Sequence, residues 1–365
     1  MKKTLLFLLS VGFAQVSFGQ TFFTDSFSTY TIGNVGTDIT GATPGQGSYL
    51  TTSTNGTDPT TTTNSDNSNF QIFDAGGANG QVLQLTGPNG DKGSRFMWQT
   101  GLPAMWASRT VGNNILEVEY DFYTGDPTTS VNTMRMYIYD SPPTTTSKIL
   151  AGFTFAMNTK ILTGVAYYDN TATAGGIVAN YGFQMGLLGT TAANLTLAPN
   201  TWVRIGMSFN YATGQVKWKG PGFNPNAQLT GAAAGVNPET LYLVSSSGTN
   251  TAATPPVTNT SSAVARFDNI VMRATNTDTL LGVAHVSPMA EFSAYPNPVQ
   301  DVLNVTNNAG MGAYEMADLN GRTVKAGTLG NATDATLDIS ELASGIYMLN
   351  IASDAGKITK KIVKQ

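Results

Sequence analysis

Apolar and polar residues alternate along most of the chain. Ile115-Leu116-Glu117-Val118-Glu119-Tyr120-Asp121-Phe122 does so from Leu116 onward, and the segments 134–140, 151–158, 202–210 and 215–219 repeat the pattern. A two-residue period sends successive side chains to opposite sheet faces, so each segment predicts a strand with one buried face. Gly, Pro, Asn and Asp punctuate these strands at the spacing of sandwich turns, and no stretch carries the period of an amphipathic helix. Residues 20–276 therefore predict a single large two-sheet jelly roll. The tracts 51–69 and 248–262 are mostly Thr, Ser, Asn and Gly. They hold too little apolar surface to offset the entropy of ordering, and predict long polar loops.

A second, smaller all-β module is expected over residues 291–365. Pro296-Asn297-Pro298 removes two amide donors and predicts a rigid turn into an edge strand. Val302 to Thr306 then alternates, Asn320-Gly321 predicts a two-residue type I′ hairpin turn, and Gly345 leads into another strand. The result is a sandwich of about six or seven short strands. Residues 277–290 read as a linker.

The first 19 residues have the layout of a secretory signal peptide: Lys2 and Lys3, an apolar run from Leu5 to Phe13, then Ser17-Phe18-Gly19 as a small-x-small site. No apolar run reaches the ~18 residues of a transmembrane helix. Without Lys2 and Lys3, 17 of the 19 basic residues remain against 23 acidic ones, a net charge near −6. That balance argues against nucleic acid or an anionic membrane as partner.

Composition restricts the chemistry further. The chain has no Cys and one His, His285 in the linker. Thiolate nucleophiles, disulfides and thiolate zinc sites are excluded, and a Ser-His-Asp triad or multi-His metal site lacks its imidazoles. Carboxylate chemistry and oxygen ligation of a hard cation are what remain.

Motifs in the C-terminal module carry a family resemblance. Tyr295-Pro296-Asn297-Pro298, Asp318-Leu319-Asn320-Gly321-Arg322, Leu342-Ala343-Ser344-Gly345-Ile346-Tyr347 and a basic tail with Lys360 and Lys361 follow one another in order. The module resembles the type A C-terminal sorting domain of the bacterial type IX secretion system. The resemblance implies an immunoglobulin-like β-sandwich in which Tyr295, Pro296, Asn297, Pro298, Asp318, Gly321, Arg322, Gly345, Tyr347, Lys360 and Lys361 form the sorting motif. It also implies an outer-membrane translocon and a sortase as partners, and a protein released or attached at the cell surface after export through the periplasm.

A looser resemblance covers the cargo. Trp202-Val203-Arg204-Ile205 through Asn210, then Thr213-Gly214-Gln215-Val216-Lys217-Trp218 and a closing strand over 265–272, are similar to the paired strands of concanavalin A-like and laminin G-like jelly rolls.

Three constellations could give this domain an activity. Glu117, Glu119 and Asp121 fall on one strand face, where paired carboxylates suit a polysaccharide-degrading glycosidase. Their spacing departs from the Glu-x-Asp-x-x-Glu pattern of related glucanases, and a solvated outer face is the competing reading. If Met134, Met136 and Ile138 face the core, Arg135, Tyr137 and Tyr139 project together, with Tyr167 or Tyr168 nearby. Aromatic rings beside polar groups are what glycan binding needs. Trp202 and Trp218 read as core, Trp98 and Trp106 as loop residues. Asp25 and Asp268 would lie on adjacent strands, where jelly-roll modules staple their termini with structural calcium; no other cofactor is expected. Glycan binding or adhesion leads, with a glycosidase and a purely structural surface protein as alternatives.

Overall fold

The computed structural model describes residues 19–55, 65–77, 79–250, 253–281, 293–318, 321–353 and 356–365. Residues 1–18 of the expected signal peptide, His285 and Asn320 lie outside them.

Two antiparallel sheets enclose the core of the cargo. Nine described strands make the first, in the order Gln228–Thr230, Gln215–Lys219, Trp202–Asn210, Ile115–Tyr123, Val264–Thr275, Gly80–Thr86, Phe70–Gly76 and Gly33–Asn34, with Gln20–Asp25 also paired to Val264–Thr275. The second runs Val178–Gln184, Ile161–Asp169, Ile149–Ala156, Thr133–Tyr139, Thr240–Ser246, Ser94–Trp98 and Leu50–Thr54, and the short strand Leu195–Thr196 pairs with Ile161–Asp169. This is the expected two-sheet jelly roll.

The alternation places the core. Leu116, Val118, Tyr120 and Phe122 point inward from the first sheet, and Met134, Met136, Ile138, Phe153 and Phe155 meet them from the second. Phe122 packs edge-on against Phe155 with centroids 5.0 Å apart. Each such side chain contributes about 1.5–3 kcal/mol by leaving water.

Several local expectations fail for identifiable reasons, among them Trp98, which ends the strand Ser94–Trp98, and Trp202, which stands half-buried on the outer sheet face. The polar tract 51–69 opens as the strand Leu50–Thr54, which pairs with Ser94–Trp98. Its inward Thr51 and Ser53 satisfy their hydroxyls on Asp38 O and Asn69 Oδ1, so Thr keeps its β-preference without carrying a polar burden into the core. Trp106 is no loop residue. It sits in the single-turn-plus helix Leu102–Ala107, buried, with its indole N–H donating to Asn237 Oδ1.

A further one concerns the linker, which begins as part of the sandwich. Leu280 is fully buried against Gly206, where an added Cβ would lie 2.7 Å from the Leu280 side chain. Asp278 bonds Lys217 at 2.9 Å and approaches Lys219 at 3.4 Å. Residues 278–281 are thus a strap over the outer face of the first sheet.

The C-terminal module has five described strands: Ser293–Tyr295, Val302–Ala317, Thr323–Asp338, Gly345–Ser353 and Gly356–Lys364. Two of them are 16 residues long and change register along their length, so each long strand takes the place of two short ones. The sheet folds over a core of Leu303, Val305, Met316, Leu349, Ile351 and Ile362. It closes where Val299 N–H donates to Val363 O. Gly321 has φ 79° and donates its N–H back to Asp318 O. The turn therefore closes one residue earlier than an Asn320-Gly321 type I′ turn would, with Gly321 as the left-handed residue after it.

Candidate functional site

Glu117, Glu119 and Asp121 do share the outer face of the first sheet, but it is not a solvated face. Glu117 is 0% and Glu119 1% exposed. Register sets Arg273 opposite Glu117 and Arg204 opposite Asp121. Arg273 Nε donates to Glu117 at 2.7 Å and its Nη2 to Glu119; Arg204 reaches Glu119 at 3.3 Å and Asp121 at 3.2 Å. The strap covers what remains: Thr279 donates its N–H and hydroxyl to Glu117, and Leu281 its N–H to Glu119. Burial pushes the Glu117 carboxyl up despite these partners, while Glu119, facing two guanidiniums and the Leu281 amide, ends below the usual range against the same burial. A general acid must reach the bond it protonates. These carboxylates reach arginines and a strap.

The second constellation projects as expected and then closes on itself. Tyr137 and Tyr139 stand on the face opposite Met134, Met136 and Ile138, but are only 6% and 9% exposed. Tyr139 meets Tyr137 at 5.7 Å and Tyr242 at 5.8 Å, both edge-to-face, and Tyr242 meets Trp98 at 5.1 Å. The Tyr137 hydroxyl bonds Thr154 Oγ1, and Arg135 Nε donates to Thr133 Oγ1. Rings this deeply buried leave a sugar little flat face to stack on. Sequence periodicity gives the facing but not this lateral packing.

Asp25 and Asp268 lie on paired strands, Asp25 opposite Ile270. Their oxygens are already engaged by donors. Asp25 accepts from Phe27 N–H at 2.8 Å and Tyr30 Oη at 2.7 Å; Asp268 accepts from Asn269 N–H at 2.7 Å and its side-chain amide at 3.1 Å. Among the described residues no group of three or more His, Cys, Asp or Glu could hold a metal ion. A calcium shell draws on six to eight oxygens, and this donor set does not fit one. Burial, with Asp121 and Asp25 near, instead pushes Asp268 up to about 8.

In the C-terminal module the motif residues divide into builders and outward groups. Asn297 donates to Lys361 O at 2.8 Å and accepts from Val363 N–H at 2.9 Å, tying the Pro296–Pro298 turn to the last strand. Asp318 accepts from the Arg322 amide and Nε across its turn. Gly345 starts a strand opposite Lys364, and the buried Tyr347 donates to Ala343 O. Tyr295, Arg322 and Lys361 face solvent.

A feature absent from the sequence reading lies at the side edge of the cargo sandwich. Strand Val178–Gln184 of the second sheet and strands Gln215–Lys219 and Gln228–Thr230 of the first flank a cleft of about 450 Å³. Half-buried Tyr168 and Phe183 line it edge-on to each other, with centroids 5.6 Å apart, and Phe183 lies 5.8 Å from the buried Trp218. Gln184, Asn224, Asn226 and Gln228 supply amides, and no lining residue is charged. Trp218 is fixed from behind by its indole N–H donating to Gly152 O. The exposed side-chain amides of Asn226 and Gln228 have no hydrogen-bond partner among the described residues. Alternation of Tyr181 and Phe183 with small or polar neighbours marks 178–184 as a strand with one ring-bearing face. What periodicity cannot provide is its meeting with residues 224–229 across the gap between sheets.

Comparisons with known proteins separate the two modules. Residues 293–365 match the family described as the secretion system C-terminal sorting domain. No curated protein matches the chain. Among solved structures, the chain is similar to LamAcat from Zobellia galactanivorans (9% identity, 70% of this chain and 97% of that one, TM-score 0.42). It is also similar to a Bacillus licheniformis β-glucanase (12% identity, 71% of this chain and 100% of that one, TM-score 0.38). Among the described residues no helix is long and apolar enough to cross a membrane. Residues 293–365 are a C-terminal sorting domain of the type IX secretion system, and they mark the chain as cargo for export, secreted or attached at the cell surface.

Proposed function

We propose that the cargo sandwich binds neutral glycans through the edge cleft and performs no chemistry on them. The observation that carries this reading is the lining of the cleft: the half-buried rings of Tyr168 and Phe183, backed by the buried Trp218, together with four uncharged amides. Sugar rings offer apolar C–H faces that stack on aromatic rings, and their hydroxyls both donate and accept, as side-chain amides do. The volume of about 450 Å³ is within the range of small-ligand sites. The glycosidase alternative loses its residues, since Glu117 and Glu119 are held by Arg273, Arg204 and the strap. The test is a glycan array probed with the full chain and with Tyr168→Ala and Gln228→Ala. Binding of neutral oligosaccharides that both variants weaken supports the proposal; an array without signal, or signal indifferent to both changes, overturns it.

A further inference from the structure

The outer face of the first sheet carries a second feature, distinct from the edge cleft and bordering the carboxylate cluster, with Tyr123 two residues beyond Asp121 and Trp202 two before Arg204. Strand register aligns one residue from each of six neighbouring strands into a transverse row. Trp202 lies opposite Tyr123, Tyr123 opposite Arg266, Arg266 opposite Gln84, Gln84 opposite Gln71, and Gln71 opposite Asn34. None of the six is buried. At ~4.8 Å between strands the row extends roughly 24 Å.

Its centre is a guanidinium held flat and left uncompensated. Arg266 lies 4.1 Å over the Phe73 ring and 5.3 Å from that of Tyr123. Its Nε is committed to Gln84 Oε1 at 2.9 Å. Arg204 and Arg273 on the same face are paired with carboxylates, whereas the two Nη atoms of Arg266 have no partner among the described residues. A planar fork with its Nε anchored and its Nη edge open is matched by a carboxylate, which accepts two parallel N–H bonds. Beside it, Trp202 and Tyr123 stand 5.3 Å apart, rings of the kind that stack on sugars. On the other side Gln84, Gln71 and Asn34 offer amides. Tyr123 and Arg266 also line a cleft of about 270 Å³ that the Asp126 carboxylate shares without an ion pair to Arg266 among the described residues.

We propose that this row is a second binding site, for an extended polysaccharide bearing carboxylates, with one uronate carboxylate seated on Arg266 and flanking sugar rings on Tyr123 and Trp202. Ring, cation and amide in a line suit an extended chain better than a compact ligand, and the row's length accommodates several sugar units.

The full chain is titrated calorimetrically with polygalacturonate, with a neutral galactan, and with dextran sulfate as a control for charge alone. The expected result is polygalacturonate binding that Arg266→Gln weakens by about tenfold or more. Arg266→Lys, which keeps the charge and loses the fork, should recover only part of it. Trp202→Ala tests the row without altering charge and should weaken binding as well, which keeps the proposal open to refutation if Arg266→Gln fails to fold. The proposal is overturned if the wild-type chain ignores polygalacturonate, if Arg266→Gln and Trp202→Ala bind it as the wild type does, or if dextran sulfate binds equally well. Loss of neutral-glycan binding in Tyr168→Ala is a separate readout, so either site can fail alone.

Discussion

Replacing Asp268 by Asn should stabilise the cargo sandwich at neutral pH, by an amount that disappears in acid. Asp268 is 3% exposed, with Asp121 opposite in register, Asp25 close by and Arg204 as the cation that acts on it. Burial and the two like charges push its carboxyl up from 3.8 to about 8. Below pH 3.8 both folded and unfolded chains hold this proton and its stabilising contribution is complete. As pH rises toward 8 the unfolded chain ionises while the folded one keeps the proton, so stability falls, and above 8 it levels off. By pH 7 roughly three pH units at ~1.4 kcal/mol each amount to about 4 kcal/mol. Asn keeps the shape and cannot ionise, so it removes the slope. Urea unfolding followed by tryptophan fluorescence reads the cargo alone, because Trp98, Trp106, Trp202 and Trp218 are all of the chain's tryptophans and all lie there. The gap in unfolding free energy between variant and wild type should widen by about 4 kcal/mol from pH 5 to pH 8. An equal gap at both pH values would refute the reasoning. So would a wild-type slope that Ca²⁺ abolishes, since Asp268 would then be ligating a cation rather than holding a proton.

Three further outcomes follow from the same contacts. Leu280→Ala empties the seat over Gly206 and should cost about 2–4 kcal/mol in urea unfolding; a change below about 0.5 kcal/mol would mean that the strap does not hold the sheet. Glu119→Gln leaves two partly buried guanidiniums short of a carboxylate and should destabilise by about 3 kcal/mol, whereas a loss of polysaccharide cleavage with stability intact would restore a catalytic role. Asn297→Ala cuts both bonds between the Pro296–Pro298 turn and the last strand; the isolated melting step of the sorting module should fall by about 1–2 kcal/mol, and an unchanged step would make Asn297 an outward recognition group instead.

Much of the fold was legible because strand facing depends only on local order. Leu116, Val118, Tyr120 and Phe122 against Glu117, Glu119 and Asp121 needed no more than the two-residue period, and the structure keeps that division. The character of each face was not legible. Whether Glu119 meets water or Arg273 depends on which strands are neighbours and on a strap arriving some 160 residues later. Tyr137 and Tyr139 likewise faced the right way, yet Tyr242 and Trp98 from other strands hide their rings. The edge cleft joins residues 168–192 to 218–229 through the gap between sheets, a proximity set by the packing of two sheets rather than by any spacing along one. The sorting module was readable because several of its motif residues build turns with near neighbours, Asp318 with Arg322 and Tyr347 with Ala343.

With the glycan in the edge cleft, the Arg135 face is a packed surface that takes no part in binding. A side-by-side affinity measurement of the full chain, Tyr168→Ala and Arg135→Gln against the neutral oligosaccharide that the wild type binds best tests this most directly. Binding should be lost in Tyr168→Ala and kept in Arg135→Gln, with both variants melting as the wild type does. Binding kept in Tyr168→Ala and lost in Arg135→Gln would contradict it.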